Sequence, residues 1–238
     1  MATASTPTQQ GTEFIGYVEE WLRRLQPFSL RDELQEPERA AIFSADMVVG
    51  FCSQGNLASP RVASLVPTIV DLFRRAHGLG VRHFSLAQDT HSEDALEFGA
   101  FPPHCLRDTE EAQTIPELQA LPFSDLFTVV EKNSLHPSVG TTLDPWLDGH
   151  SELRDLIVVG DCTDLCTYAL AMHLRLRANA YGLKDQRVIV PANAVDTYDM
   201  SIEAAAEIGA MPHPADLFHS LFLYHMGLNG VQVVSRIS

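Results

Sequence analysis

The chain has 238 residues, of which 45% are apolar, and its 31 acidic and 16 basic side chains give a formal net charge of −15. A chain of this length and apolar content can bury one large α/β core. The negative charge excludes nucleic acid and anionic membranes as expected partners, because a polyanion must be met by basic patches. We therefore expect a small-molecule ligand.

Several sequence features favour a soluble, cytoplasmic protein. No run of 18 apolar residues occurs, and residues 1–12 lack the basic and apolar regions of a signal peptide. Four cysteines are too few for a disulfide framework in a chain of this length. Each is expected to be a free thiol that fills the core, binds a ligand or acts as a nucleophile: Cys52, Cys105, Cys162 and Cys166.

The beginning of the chain predicts a tail followed by a helix. Residues 1–12 are small and polar without periodicity, which predicts a mobile tail, and residues 13–238 are expected to form a single domain. Apolar residues recur at helical spacing from residue 13, and Pro27 ends that helix. Further helices are predicted at 61–77, 164–180, 202–210 and 215–226.

Short apolar runs between these helices predict the strands of a sheet. They lie at 40–46, 81–89, 126–132, 155–161, 187–191 and 231–237. Strands that alternate with helices predict an α/β fold, a three-layer α/β/α sandwich with a mostly parallel six-stranded sheet. Ligands of such sheets bind at the carboxyl ends of the strands. The long segment 90–125 is a candidate functional loop.

The stretch GDCTDLC, residues 160–166, places Cys166 where a helix should begin. Backbone N–H groups and the helix dipole favour a thiolate at that position. Asp46 and Lys132 end two other strands and could supply a general base and a positive charge. The backbone N–H groups around Cys162 and Cys166 could bind an oxyanion. A buried apolar cysteine beside a structural ion pair remains the alternative.

A second group of residues could bind a metal ion. Asp89 and His91 in DTH, with His104 in FPPHC, offer one carboxylate and two imidazoles. This ligand set suits zinc, iron or manganese and leaves positions open for water or substrate. The alternative is that the D-x-H residues cap a turn and His104 is an ordinary loop histidine.

The order of these residues resembles that of the isochorismatase-like cysteine hydrolases. Asp46, Lys132 and a G-x-x-T-x-x-C motif ending at Cys166 occur with D-x-H and P-x-H-C between them, and the likeness runs from residue 40 to the C-terminus. Within this family, the segments GFCSQGNLASPR, PPHCLRDTEEAQTIPEL, GDCTDLC and QVVSRIS resemble those of plant-type nicotinamidases.

The resemblance implies a reaction and a role for each catalytic residue. Cys166 would attack the carboxamide carbon of nicotinamide, and Asp46 would take the thiol proton and pass it to departing ammonia. Lys132 would orient and stabilise the charged state, and water would hydrolyse the thioester to nicotinate, a step of NAD salvage. The backbone N–H groups of Cys162 and Cys166 would form the oxyanion hole, with a cis peptide bond before Cys162.

The resemblance also implies one divalent metal ion that binds the pyridine nitrogen. Its ligands would be Asp89, His91 and His104, with zinc as the expected metal and iron or manganese as alternatives. Some bacterial members add a histidine six residues after the D-x-H histidine. Glu97 occupies that position here, which leaves the fourth protein ligand open.

Two phenylalanines match positions where the family places aromatic rings around the pyridine. These are Phe51 and Phe101, and Phe101 stands where many relatives have tryptophan. Asn133, next to Lys132, could help to orient the site but is not counted among the site residues.

Other functions stay open beside nicotinamide hydrolysis. The same cysteine could act on another small amide or carbamoyl compound, or on isochorismate, or the chain could be a non-catalytic binding scaffold. The D-x-H and P-x-H-C motifs disfavour isochorismate, because a vinyl ether needs no metal that binds pyridine. We expect a homo-oligomer without nucleic acid or membrane partners.

Overall fold

The computed structural model describes residues 6–238, in which a parallel β-sheet lies between two layers of helices. The strands are β1 (Ala40–Ala45), β2 (His83–Asp89), β3 (Phe127–Lys132), β4 (Asp155–Asp161), β5 (Arg187–Pro191), β6 (Val195–Asp196) and β7 (Gln232–Val234). Their order is β3-β2-β1-β4-β5-β7, with β6 paired to β4. All pairings between these strands are parallel.

The six predicted strands are all present, and β6 is one strand more than predicted. A strand of two residues shows no alternation, so its sequence carries no signal. The helices are α1 (Pro7–Arg23), α2 (Leu30–Glu33), α3 (Val49–Cys52), α4 (Pro60–Ala63), α5 (Val66–Leu79), α6 (Pro116–Gln119), α7 (Leu143–Gly149), α8 (Cys166–Tyr181), α9 (Ile202–Ile208) and α10 (Ala215–Leu228). None of these described helices is both long and apolar enough to cross a bilayer.

The first helix begins earlier than its apolar pattern predicted, so the predicted tail of residues 1–12 is wrong for the part that the structure describes. The Thr6 hydroxyl accepts from the Gln9 backbone N–H, and the Gln9 side chain accepts from the Thr6 N–H. This capping box, followed by proline at the first helical position, starts α1 at Pro7. Residues 1–5 of the predicted tail lie outside the described residues.

The helix predicted at 61–77 is divided into α4 and α5. Pro67 lies at the second position of α5, where it has no N–H to donate to the carbonyl four residues earlier. The helix therefore restarts at Val66. It ends at Gly80, whose φ of 115° is a left-handed conformation that glycine adopts at low cost.

Side chains of β1 alternate between two cores, one on each face of the sheet. Ile42 packs with Phe73 of α5 in the first core, whereas Phe43 packs with Leu170 of α8 in the second. The second core also includes residues of α7 and α10. This arrangement confirms the predicted α/β/α sandwich.

The carboxyl ends of the central strands meet at one edge of the sheet. The register pairs Asp89 with Lys132 and Ala45 with Gly160, so Asp46 follows directly at the same edge. Gly160 has a φ of 112°, and a Cβ at this position would lie 2.0 Å from the Ala45 carbonyl oxygen. Only glycine lets β4 approach β1 this closely beside Asp46.

Candidate active site and metal centre

Lys132 is the centre of a buried charge cluster. Its Nζ lies 2.8 Å from Asp46 Oδ2, 2.5 Å from Asp89 Oδ1 and 3.4 Å from Cys166 Sγ. Lys132 and both aspartates are 1% exposed, and Cys166 is 5% exposed. The fold thus brings together the three predicted catalytic residues, Asp46, Lys132 and Cys166, although they lie on three separate elements.

The cluster holds Asp46 ready to accept a proton. Burial and the neighbouring Asp89 raise the pKa of Asp46 to about 6, with Lys132 and Cys166 opposing them. Burial also raises the pKa of the Cys166 thiol well above its usual value, while Lys132 opposes that shift. Burial disfavours the charged form of Lys132, but Asp46, Asp89 and Cys166 together raise its pKa. The lysine therefore stays an ammonium.

The backbone holds the Asp46 carboxylate in a defined orientation. Asp46 has a φ of 51°, and its N–H donates to the Ala87 carbonyl at 2.8 Å. Its Oδ1 accepts from the Asp89 N–H at 2.7 Å. Within the described chain its Oδ2 accepts no well-oriented hydrogen bond, although Lys132 lies close. That oxygen lies in the ion pair with Lys132 and keeps lone-pair capacity for a proton.

The GDCTDLC turn shapes the start of α8. The peptide bond between Asp161 and Cys162 is cis, as the family resemblance implied. The Cys162 carbonyl accepts from the N–H groups of Leu165 and Thr167 at 3.0 and 3.1 Å. The turn places Cys166 as the first residue of α8, in agreement with the predicted position at a helix start.

The three predicted metal ligands also come together, and a fourth residue joins them. Ligand atoms of Asp89, His91, Glu97 and His104 all lie within 4.8 Å of one another. His91 Nε2 is 3.3 Å from Asp89 Oδ1 and 3.9 Å from Glu97 Oε1, and His104 Nε2 is 3.6 Å from Asp89 Oδ2. The sequence left open which residue could be the fourth protein ligand. The carboxylate of Glu97 faces the other three residues, so its position fits that role.

This set of donor atoms fits a divalent metal ion. His91 Nε2 and Glu97 Oε1 are buried without a hydrogen-bond partner among the described residues. Buried polar atoms are rarely left unpaired, so a ligand is expected at both. Two imidazole nitrogens and two carboxylates are a combination that zinc, iron and manganese accept.

Hydrogen bonds from outside the cluster orient its members. Metal ligands in proteins are commonly held this way through their second polar atom. Here His91 Nδ1 pairs with Asn133 Oδ1 at 3.1 Å, His104 Nδ1 with the Pro102 carbonyl at 2.8 Å, and Glu97 Oε2 accepts from the Leu135 N–H at 3.0 Å. Asn133, for which an orienting role was considered from its place next to Lys132, thus pairs with His91.

Asp89 belongs to both clusters. Burial opposes its ionisation, but Lys132, His104 and His91 together lower the pKa of Asp89 well below its usual range. It remains a carboxylate, as a metal ligand must be. The metal-type cluster is the group of candidate metal ligands Asp89, His91, Glu97 and His104. It therefore forms one continuous site with the charge cluster.

Aromatic rings flank the metal-type cluster. The rings of Phe51 and Phe101 lie 5.5 and 6.4 Å from the His104 ring. Phe98, which was not predicted, lies 5.3 Å from His91. Its position next to Glu97 was the only sequence signal that could have indicated it.

The four cysteines are free thiols, as expected. Burial raises the pKa values of Cys52 and Cys105 far above the ordinary range of a thiol. The Cys105 thiol donates to the Glu111 carbonyl at 3.6 Å, so it serves the packing of the loop beside His104.

Comparison with known proteins identifies the class to which this site belongs. The family model described as the Isochorismatase domain matches residues 40–215. The chain therefore belongs to the isochorismatase family, and its resemblance to isochorismatase-like hydrolases is confirmed.

Proteins named as nicotinamidases and pyrazinamidases are similar to this chain. Nicotinamidase 1 from Arabidopsis thaliana is 29% identical over an alignment of 219 positions, which covers 86% of this chain and 89% of that protein. The nicotinamidase PncA from Bacillus subtilis has a TM-score of 0.64 at 22% identity, covering 82% of this chain and 99% of that one. The pyrazinamidase of Pyrococcus horikoshii in complex with zinc has a TM-score of 0.63 at 19% identity, covering 82% and 98%. The two structures show the shared fold.

Proposed function

We propose that the protein is a nicotinamidase, which hydrolyses nicotinamide to nicotinate and ammonia. The observation that carries this proposal is the placement of Lys132, whose ammonium contacts Asp46, Asp89 and Cys166 at once. Through Asp89 the nucleophile and base adjoin a metal-type cluster. A carboxamide on a ring with a basic nitrogen suits such a site, because the carboxamide would meet the nucleophile and the ring nitrogen would meet the metal-type cluster.

The first half of the reaction makes a thioester. Asp46 Oδ2 takes the proton of the Cys166 thiol, and the thiolate attacks the carboxamide carbon while Lys132 stabilises the negative charge. The backbone N–H groups of Cys162 and Cys166 stabilise the oxyanion of the tetrahedral intermediate. Collapse of this intermediate breaks the C–N bond, and Asp46 returns the proton to the leaving ammonia.

The second half releases nicotinate. Asp46 removes a proton from water, and the resulting hydroxide attacks the thioester carbon. The C–S bond breaks, the Cys166 thiolate leaves and it recovers the proton from Asp46, while the nicotinic acid formed releases its carboxyl proton to solvent and becomes nicotinate. The neutral thiol of the resting site is restored.

Asp89, His91, Glu97 and His104 would hold one divalent ion, with zinc as the expected metal and iron or manganese as alternatives. When bound, the ion supplies a Lewis acid that orients the pyridine nitrogen and draws electron density from the ring. Phe51 and Phe101 would enclose the ring from the side of His104.

The proposal extends to the setting of the enzyme. The reaction would serve NAD salvage in the cytoplasm, in a homo-oligomer that binds neither nucleic acid nor membranes. We also propose that residues 13–238 form one domain. Because α1 begins at Pro7, this domain also includes residues 6–12.

Ammonia release from nicotinamide by metal-loaded protein tests the proposal. We expect release by the wild type and a loss of at least about 10³-fold in kcat for Cys166→Ala. Cys52→Ala is the matched control, because it removes a buried thiol outside the charge cluster. No release by the wild type would contradict the proposal and favour another small amide as the substrate.

A further inference from the structure

A buried carboxyl group in the site has no role in the reaction described above. Asp161 ends β4 and is 1% exposed. Its Oδ2 accepts a long hydrogen bond of 3.7 Å from the Cys162 thiol. Its Oδ1 is buried and has no hydrogen-bond partner in the described part of the chain. The unpaired oxygen calls for a ligand, because an unpaired buried polar group destabilises the folded state.

The position of Asp161 places this residue next to Asp46 at the carboxyl edge of the sheet. Gly160 pairs with Ala45, so Asp161 and Asp46 are the next residues on neighbouring parallel strands. Asp161 also directly precedes Cys162, whose backbone N–H is assigned above to the oxyanion. Electrostatic interactions link the Asp161 carboxyl to Asp46 on one side and to Cys52 of α3 on the other.

The surroundings of this carboxyl group favour its protonated form. Burial and the charge of Asp46 raise the pKa of Asp161 well above its usual value, and Lys132 only partly opposes them. A protonated carboxyl group carries one O–H donor as well as acceptor oxygens. It can therefore donate a hydrogen bond to an acceptor atom of a neutral substrate.

We propose that Asp161 is a substrate-binding residue that selects carboxamides with a hydrogen-bond acceptor next to the carboxamide group. A diazine carboxamide has such an acceptor in its second ring nitrogen. This inference rests on the proposed function and adds a specificity to it. Leucine has the same branched shape at Cγ but no unpaired oxygen, so burial alone gives no reason for an aspartate here.

Pyrazinamide and nicotinamide are the matched pair of probes. Pyrazinamide keeps the ring nitrogen of nicotinamide and replaces the CH beside the carboxamide-bearing carbon by a second nitrogen. The experiment measures kcat/KM of ammonia release for both amides with metal-loaded wild type, Asp161→Leu and Asp161→Asn. Taking the ratio of the two values removes effects on folding, metal content and the nucleophile, which act on both substrates alike.

We expect Asp161→Leu to lower the pyrazinamide-to-nicotinamide ratio by about tenfold, the effect of one lost hydrogen bond. Asp161→Asn keeps a donor in its amide and should retain most of the ratio. The control variant Cys52→Ala alters a neighbour of Asp161 and should leave the ratio unchanged. In the absence of substrate, Asp161→Leu should raise the thermal midpoint, since it removes an unpaired buried oxygen.

The outcomes separate this inference from the proposed function. An unchanged ratio in Asp161→Leu, or equal losses in the leucine and asparagine variants, would overturn the role of Asp161 while leaving the nicotinamidase intact. Failure of the wild type to hydrolyse either amide would overturn both. If Asp161→Leu does not fold, the smaller Asp161→Val makes the same comparison.

Discussion

At the scale of single residues, the proposed chemistry depends on polar atoms whose hydrogen-bonding capacity is not used up by the described residues. Asp46 Oδ2, Glu97 Oε1 and His91 Nε2 are buried, and none accepts or donates a well-oriented hydrogen bond among the described residues. The second polar atom of each of these side chains forms a hydrogen bond with a neighbouring residue, and this bond fixes the orientation of the group. The free atoms thus face reactants or a metal ion without needing to reorganise.

Replacing Asp46 by asparagine tests the general base. We expect Asp46→Asn to lower kcat of ammonia release by about 10²- to 10⁴-fold, because the amide cannot take the thiol proton. Its oxygen can still accept from the Asp89 N–H, so circular dichroism and the thermal midpoint should stay close to those of the wild type. A variant that folds and keeps full activity would show that another group takes the proton.

Removing the Glu97 carboxylate tests the fourth ligand. Glu97→Ala should weaken metal binding by about 10- to 100-fold, since the loss of a group that holds the ion or its ligands has effects of this size. The measurement is metal content per chain after dialysis against a graded chelator. Glu93→Ala, in the same loop and exposed, is the control. Equal metal retention in both variants would exclude Glu97 from the site.

At the scale of elements, the structure differs from the sequence patterns where polar or backbone effects prevail over apolar periodicity. The strands of the sheet were predictable because each is a short apolar run between turns. The start of α1 depends on a polar capping box, and the break between α4 and α5 depends on one missing N–H at Pro67. Neither feature alters the spacing of the apolar residues, so that spacing could not predict them.

The contact between β1 and β4 can be tested at Gly160. We expect Gly160→Ala to be severely destabilising or to prevent folding, because its Cβ would lie 2.0 Å from the Ala45 oxygen. Gly182→Ala is the matched control, since Gly182 also has a positive φ but no atom near the added Cβ. The control should lose only about 1 to 2 kcal/mol. Similar midpoints of chemical unfolding for both variants would contradict this account.

The turn before α8 is joined to the segment before α10 by a buried ion pair. His213 Nε2 lies 2.7 Å from Asp164 Oδ2, and His213 Nδ1 lies 2.8 Å from the Tyr198 carbonyl. Burial opposes protonation, but Asp164 raises the pKa of His213 above 6.5. The contribution of the charged pair to stability is therefore complete below pH 6.5 and is lost as the pH rises through the folded-state pKa.

Unfolding free energies of the wild type and His213→Gln test this pH dependence. We expect the difference between the two proteins to be larger at pH 6 than at pH 9, because only the charged imidazole gains from Asp164. The control is the same substitution in an Asp164→Asn background, where the difference should change little over the same range because the carboxylate is absent. A difference that is constant or grows with pH would contradict the raised pKa.

At the scale of the whole molecule, metal binding should couple to folding. The candidate ligands come from the end of β2 and from the loop that follows it, and they form a cluster only in the folded chain. A ligand that binds only the folded state raises stability, by about 2.7 kcal/mol at a free concentration of 100 times Kd. Chelation should therefore lower the thermal midpoint and abolish ammonia release, and zinc should restore both. An unchanged midpoint with full activity after verified metal removal would exclude a resident ion.

The sequence by itself determined the fold class, the strands and the candidate site residues, because apolar periodicity and motif order are local properties. Asp46, Asp89, His91, His104, Lys132 and Cys166 were all named from their positions after strands or in motifs. The tertiary structure decided which atoms remain unpaired. Three features depend on how separate segments pack: the distance from Glu97 to His91, the hydrogen bond of Asn133 to the same His91 ring, and the unpaired oxygen of Asp161. Hydrogen-bond satisfaction is a property of the assembled interior, and no spacing along the chain encodes it.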